Sequence, residues 1–454
     1  MRYLLTTIIL LFTLCCANAQ QIKEINPVKA THAPQSLKVI SLKECIEVGL
    51  KQNYDLLIVR NDEQIAQNNA TAANAGMLPT LDLSAGYRGS SDRTSTTPRE
   101  GESYTEKGSF DQSADVGLAL SWTIFDGMRI RTNYKILQEM REKGELQTRY
   151  TIEDFVANLT AEYYNLIQQT IRLKNFRYAV ALSKERLRIA EERLKVGTFS
   201  RLDVLQARVD FNADSSQYMT QQEMVSSSRI RINELMAKED LQERCVAEDS
   251  VIYINSSLKW DELSAQTLHT NTSILMADKN TEISELEFKS VKSRNFPYLR
   301  LSGGYGYTHN HFADGTIKTR GTLGPNVGLS MGFTIFDGNR RREQRNAKIE
   351  VENAYYTRKQ VEQSLLADLS NFWQAYCNNL EVIELEGQNL LTAKENYEIA
   401  MERYRLGNLS GIDMREAQKS LLDAEERLLT SQYNTKLCEI SLQQISGNIL
   451  KYLE

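Results

Sequence analysis

Few side chains in this sequence stand where they could do covalent or metal chemistry. His309 and His311, two of only four histidines, fall at i, i+2 and share one face of a strand, a spacing that could hold a metal ion. No third ligand stands near them, and placement at a strand end or loop is the expected reading. There is no Gly-rich phosphate loop. Cys45, Cys245, Cys377 and Cys438 are scattered with no Cys-x-x-Cys, and both disulfides and four unpaired helix-face thiols remain open. What recurs is acid placement. Asp203 and Asp413 each follow a serine, Ser200 or Ser410, by three residues, shortly after a glycine. That is the pattern of a helix N-cap followed by a first-turn acid, where a carboxylate meets the positive end of the helix dipole.

The elements that position these acids are exported ones. Arg2 followed by the apolar run Leu4–Cys16 and the small-x-small site Ala17-Asn18-Ala19 reads as a secretory signal over 1–19, with cleavage after Ala19. Lipidation at Cys15 or Cys16 is the lesser reading, because neither cysteine follows a small residue. Beyond Ala19 no run of about 18 apolar residues occurs, so the mature chain is soluble or a membrane β-protein. A formal net charge of −5 over 454 residues leaves no basic footprint for nucleic acid.

The sequence repeats itself. Glu185–Ala207 and Glu395–Ala417 match at an offset of 210, with identities that include Ile189/Ile399, Glu192/Glu402, Arg193/Arg403, Gly197/Gly407, Ser200/Ser410 and Asp203/Asp413. Thr123-Ile124-Phe125-Asp126-Gly127 recurs as Thr334-Ile335-Phe336-Asp337-Gly338. Pro79 and Pro297 each precede an alternating segment. The same features in the same order imply a duplication, each half having one architecture.

Four segments alternate with period two. Val116, Leu118, Leu120, Trp122 and Ile124 alternate with Gly117, Ala119, Ser121 and Thr123. Val327, Leu329, Met331, Phe333 and Ile335 alternate with Gly328, Ser330, Gly332 and Thr334. Leu81, Leu83, Ala85 and Tyr87, and Leu299, Leu301, Gly303, Tyr305 and Tyr307, do the same. One face large and apolar, the other small or polar, is the signature of a membrane barrel strand. Four strands cannot close a membrane barrel alone, and open edges in lipid leave backbone groups unpaired, so the pattern predicts an oligomer that shares one barrel. The polar connections 89–112 and 308–324, the latter with Asn310, Asp314, Gly315 and Lys318, read as solvent loops.

The rest reads as helix. Ile152, Val156, Leu159, Tyr163 and Leu166 fall at heptad-like spacing inside a Pro-free stretch from about Met128 to Val196, matched from Asn339 to Leu406. At 1.5 Å per residue each spans about 100 Å. Gly197 and Gly407 suit helix C′ positions, and the chain then returns. Pro79 and Pro297 mark helix-to-strand switches, and Gly127 and Gly338 strand-to-helix switches that need unusual backbone angles. The expected organisation is a signal peptide (1–19), an N-terminal periplasmic segment (20–40), a first repeat (41–240, strands about 80–126, hairpin 128–240), an irregular equatorial region (241–262), and a second repeat (263–450, strands about 298–337, hairpin 339–450).

Together, the duplicated ThrIlePheAspGly exits, the Pro-led strands and the tips LysValGlyThrPheSerArgLeuAspValLeu and ArgLeuGlyAsnLeuSerGlyIleAspMet resemble the TolC family of outer-membrane efflux and secretion channels. The similarity covers about residues 37–450. It implies a mainly α fold with a transmembrane β-barrel part, arranged as a homotrimer. A twelve-stranded shared barrel sits in outer-membrane lipid, and a coiled-coil α-barrel crosses the periplasm. It further implies a passive duct with neither cofactor nor enzymatic activity. A periplasmic adaptor and an inner-membrane pump would drive it, in a tripartite efflux pump or type I secretion system. By the same resemblance, Tyr404, Asp413 and Glu416 stand at a periplasmic gate, with Asp203 accepting the hydrogen bond of Tyr404. Val196, Gly197, Leu406, Gly407 and Ser410 stand where the adaptor docks. Leu202 and Leu409 depart from the pattern, replacing a polar gate link. The alternative class is a coiled-coil structural or adhesin protein of the envelope, which explains the long helices but leaves the four strands without a purpose.

Overall fold

The computed structural model describes residues 38–313 and 317–450. The signal expected over 1–19, with Cys15 and Cys16, lies outside these residues, as do Asp314 and Gly315. In chain order the elements are β1 (Lys38–Ile40), α1 (Leu42–Gln52), α2 (Tyr54–Asn69), β2 (Thr80–Thr96), β3 (Tyr104–Asp126), α3 (Arg129–Val196), α4 (Arg201–Leu235), β4 (Cys245–Ala247), α5 (Trp260–Thr270), α6 (Thr272–Lys292), β5 (Tyr298–His311), β6 (Thr319–Gly332), α7 (Arg340–Leu406) and α8 (Gly411–Ile445). The fold is mainly helical. α3 has 68 residues and α7 has 67. No described helix is long and apolar enough to cross a membrane.

Side-chain caps set the helix starts. Asn53 Oδ1 accepts from Asp55 N and Leu56 N to start α2, and its Nδ2 donates to Leu235 O at the end of α4. Asn271 does the same for α6, accepting from Ser273 N and Ile274 N and donating to Ile445 O at the end of α8. Each asparagine thus satisfies two orphan N–H groups and one orphan carbonyl.

α3 packs against α4 and α6, and α7 against α8 and α6. Val156, Leu159, Tyr163 and Leu166 are fully buried, with Ile152 packed against them. They join Ile40, Cys45 and Ile46 from the N-terminal elements, Val225 and Ile232 of α4, Cys245 of β4 and Ile440 of α8 in the largest core. Burying side chains of this size contributes about 1.5–3 kcal/mol each. The 241–262 region is bound to this core: β4 pairs with β1, and Asp249 accepts from the Tyr163 hydroxyl at 3.0 Å. Cys45, Cys245 and Cys438 are buried and Cys377 is half-buried, on four different elements.

The four long strands form one antiparallel sheet in the order β2-β3-β5-β6. Its register gathers the apolar positions on one face: Leu83 opposite Leu118, Leu118 opposite Tyr305, Leu301 opposite Leu329. The other face pairs Ser84 with Gly117, Gly117 with Gly306, and Gly306 with Gly324. His309 and His311 extend the Tyr305–Tyr307 face at the loop end of β5, with the His309 ring stacked on Tyr307. Among the described residues no group of three His, Cys, Asp or Glu side chains could hold a metal ion.

The two strand-to-helix switches differ. At the first, Gly127 (φ 72°) and Met128 (φ 73°) both take the left-handed conformation, and Asp126 accepts from Ile130 N and Arg129 Nε. A Cβ on Gly127 would run into the carbonyl oxygen of Ser293 and the side chain of Phe296. The expectation of unusual angles at Gly338 is overturned: its φ is not positive and a Cβ there meets only Phe336, at 3.9 Å. β6 also stops at Gly332, short of the expected 337. The reason is register. Gly332 already faces Tyr298, and the residue before Tyr298 is Pro297, which offers no N–H to continue the ladder. The second motif copy therefore crosses to α7 through coil and a turn in which Arg340 N donates to Asp337 O at 3.2 Å, with no residue of positive φ. Gly127→Ala should accordingly destabilise by about 2 kcal/mol or more, from left-handed strain plus the clash, and Gly338→Ala by less than about 0.5 kcal/mol. Thermal unfolding of the two variants in detergent, followed by circular dichroism, checks the difference.

Candidate functional site at the hairpin tips

α3 and α7 each end in a glycine that no other residue type fits comfortably. Gly197 (φ 82°) and Gly407 (φ 88°) take the left-handed conformation and send their N–H groups back to the last turn. Three residues later Ser200 and Ser410 start the returning helices. Asp203 N donates to Ser200 Oγ, while Ser200 N and Oγ donate to Asp203 Oδ2 at 2.9 and 2.7 Å, a reciprocal capping box. The Ser200 hydroxyl bond holds the Asp203 carboxyl below the usual carboxylate range. Asp413 N and Ser410 Oγ are linked in the same way.

Tyr404 is 2 % exposed. It packs in a cluster with Tyr397, Ala400, Met401, Met414, Ala417 and Leu421, against which Phe199 and Leu409 lie. Burial pushes its hydroxyl pKa upward. Tyr404 and Asp203 line one cleft of about 140 Å³ between the two tips, with Phe199, Leu202 and Ile412. The hydrogen bond implied between them is not formed. The Asp203 carboxylate is taken by Ser200, and the Tyr404 hydroxyl bonds to none of the described residues. Asp413 and Glu416 stand outside this cleft, exposed and three residues apart on one face of α8. Val196 (78 % exposed) and Leu406 (76 % exposed) put apolar side chains into solvent beside the turn glycines, and Leu202 does likewise. Leu409 instead covers the Tyr404 cluster, so the two leucines have different roles.

Residues outside the expected set join the hairpins. Arg193 Nη2 donates to Tyr404 O at 2.7 Å and Arg405 O at 2.9 Å, and its guanidinium lies over the Phe199 and Tyr404 rings. It neutralises orphan carbonyls at the negative end of α7. Deeper, Arg415 of α8 makes a two-bond fork to Asp214 of α4, whose side chain is 2 % exposed. The signal for Arg193 was present as the identity Arg193/Arg403. The partners of Arg415 could not be read, because Asp214 lies about 200 positions away.

Ser200→Ala removes both bonds of the Ser200 hydroxyl and leaves the backbone N–H of residue 200 on Asp203 Oδ2. Amide hydrogen exchange at Asp203 should then speed up roughly fivefold, the counterpart of about 1 kcal/mol of lost cap stability. The sign of the pH dependence follows from the lowered pKa. The ionised acid's contribution is fully present above the ordinary aspartate range and is lost as pH falls through the lower folded value. The gap between wild type and variant should therefore narrow only in strong acid, where the neutral bond from Asp203 N to Ser200 Oγ remains in the wild type.

The profile of the family described as outer membrane efflux protein matches residues 46–238 and 263–448. The outer membrane protein TolC of Vibrio cholerae is 20% identical over 415 residues, which cover 90% of this chain and 91% of the relative. The Campylobacter jejuni CmeC outer membrane channel shares the fold with a TM-score of 0.73 at 19% identity, over 90% of this chain and 85% of that one. The Neisseria gonorrhoeae MtrE outer membrane channel, solved in its open state, also gives 0.73, at 16% identity over 90% and 89%. The chain is thus an outer-membrane protein that extends into the periplasm, and it belongs to the outer membrane efflux protein family.

Proposed function

We propose that three copies of this chain form a passive duct in which each contributes four strands to a closed barrel in lipid and two helical hairpins to a periplasmic tunnel. The observation that carries this reading is the exposed apolar face of the sheet. Leu83, Val327, Leu329 and Met331 are each at least 65 % exposed, on a face shared by all four strands. Among the described residues β2 and β6 each pair on one side only. Lipid would satisfy the face, and strands of neighbouring copies would satisfy the edges. The matching order α2-β2-β3-α3-α4 and α6-β5-β6-α7-α8 supports a duplicated chain, in which two like halves per copy build a pseudo-symmetric wall.

In this reading the hairpin tips are the gate. Asp413 and Glu416 of the three copies line it with a ring of carboxylates, Tyr404 packs the closed tip, and Asp203 holds the first hairpin's turn. Val196, Gly197, Leu406, Gly407 and Ser410 form the surface that a periplasmic adaptor grips. Exposed Val196 and Leu406 suit such a contact, since a partner's apolar groups would cover them. The energy comes from an inner-membrane pump, either an efflux transporter or a type I secretion transporter.

In planar bilayers the purified protein should conduct cations in preference to anions. A trivalent cation added on the periplasmic side should block it, and Asp413→Asn with Glu416→Gln should weaken that block about tenfold or more, because a ring of acidic side chains sets both properties. Absence of conductance would sink the duct reading. On the sheet, Val327→Arg places a charge in lipid and should cost about 2–4 kcal/mol, whereas Asn326→Arg on the opposite face should be near neutral. The yield of folded protein in outer-membrane fractions separates the two.

A further inference from the structure

The Arg193 contact has an unused twin. The 210-residue repeat carries Arg193 onto Arg403, and its acceptors Tyr404 and Arg405 onto Leu194 and Lys195. Arg193 reaches from the first hairpin to the carbonyl end of the second. Arg403 is exposed, and its side chain makes no hydrogen bond or ion pair with the described residues. The matching acceptor end is equally open: Leu194 O receives only the Gly197 N–H, and Lys195 O receives no donor among the described residues. Donor and acceptor of a second clamp therefore both exist on this chain, at the end of α7 and the end of α3, and neither is used within it.

The pairing is selective. The ion pairs between the hairpins do not repeat: by the same offset Arg415 and Asp214 map onto Leu205 and Ala424, and Arg172 and Glu426 onto Val382 and Ser216. Unlike these pairs, the arginine clamp keeps its arginine and its backbone acceptors in both halves. A helix end collects a partial negative charge that a guanidinium fork matches. In a head-to-tail ring, the second hairpin of one copy meets the first hairpin of the next.

We propose that Arg403 of each copy binds the Leu194 and Lys195 carbonyls of a neighbouring copy, so that the tips are joined by alternating arginine clamps, one inside each chain and one between chains. This rests on the shared-ring reading above. The two clamps are unequal. Arg193 lies against both Phe199 and Tyr404, with ring centroids 4.9 and 5.4 Å away, whereas the repeat places Leu409 and Leu194 at the corresponding positions. The clamp between chains lacks the cation–π contribution, so the ring parts between copies before it parts within one.

The test uses the full-length protein in detergent, its oligomeric state measured first by native mass spectrometry. The double variant Arg403→Cys with Lys195→Cys is treated with a short bis-maleimide, beside each single variant and the wild type. Covalently joined chains on a denaturing gel, seen for the double variant alone, are the expected result. Arg403→Ala should also speed amide exchange at Thr198 and Phe199 about fivefold, with Arg403→Lys recovering part of the loss. An assembly that persists with only single-chain bands and unchanged exchange overturns the clamp while leaving the ring reading intact. A wild type that runs as a monomer overturns the ring reading, and the clamp with it.

Discussion

Backbone hydrogen bonding is the constraint from which the rest of this molecule follows. A sheet with one apolar face can sit in lipid only if every N–H and C=O along its edges is paired, and the described residues supply four long strands. A single copy leaves β2 and β6 open. The two faces of the sheet are nevertheless complete: large side chains line one, and glycine, serine and small polar residues line the other. A Cβ on Gly117 would come within 3.1 Å of Gly306 Cα, so the small face depends on glycine where the strands approach most closely. In the proposed assembly the large face meets lipid, the small face meets water, and strands of neighbouring copies pair with the edges.

The helices answer a different constraint. Two helices of 68 and 67 residues cannot be stabilised by propensity alone, and each is held by the 35-residue helix that returns beside it and by α6. Their ends concentrate unsatisfied backbone groups, and the chain deals with each end separately. Glycines in the left-handed conformation close the carbonyl ends, serines with first-turn aspartates open the amide ends, and Arg193 covers the carbonyls that remain at Tyr404 and Arg405. At the opposite ends of the returning helices, Asn53 and Asn271 each start one helix and satisfy a terminal carbonyl of another. The tips thus join capped helix ends around a buried aromatic cluster.

The gap between the two strand-to-helix switches shows how a shared motif can take different conformations. Asp126 and Asp337 both accept a backbone N–H just after the motif. At the first switch the ladder continues to Asp126 and the chain must turn at once, in two left-handed residues. At the second the ladder has already ended at Gly332, and the turn spreads over several residues of coil. The same five residues are strained in one place and relaxed in the other because their strand partners differ.

The local features were legible in the sequence because their physics is local. Period-two alternation in Val116–Ile124, heptad spacing from Ile152 to Leu166, the glycines at 197 and 407, and the Ser200–Asp203 and Ser410–Asp413 spacings each depend on a few neighbouring residues. The family resemblance added expectations that periodicity could not supply, the number of copies and the functional reading of the tips, which stand as proposals. Only the tertiary structure decided which distant groups meet. It gave the Asp203 carboxylate to Ser200 rather than to Tyr404, placed Arg193 on the end of α7, paired Arg415 with Asp214, and released Gly338 from the strain that holds Gly127. Such contacts depend on how two long hairpins are set side by side, to within the reach of one side chain. Composition and spacing carry no record of that distance, because a shift of one helical turn would leave every local pattern intact while changing every partner.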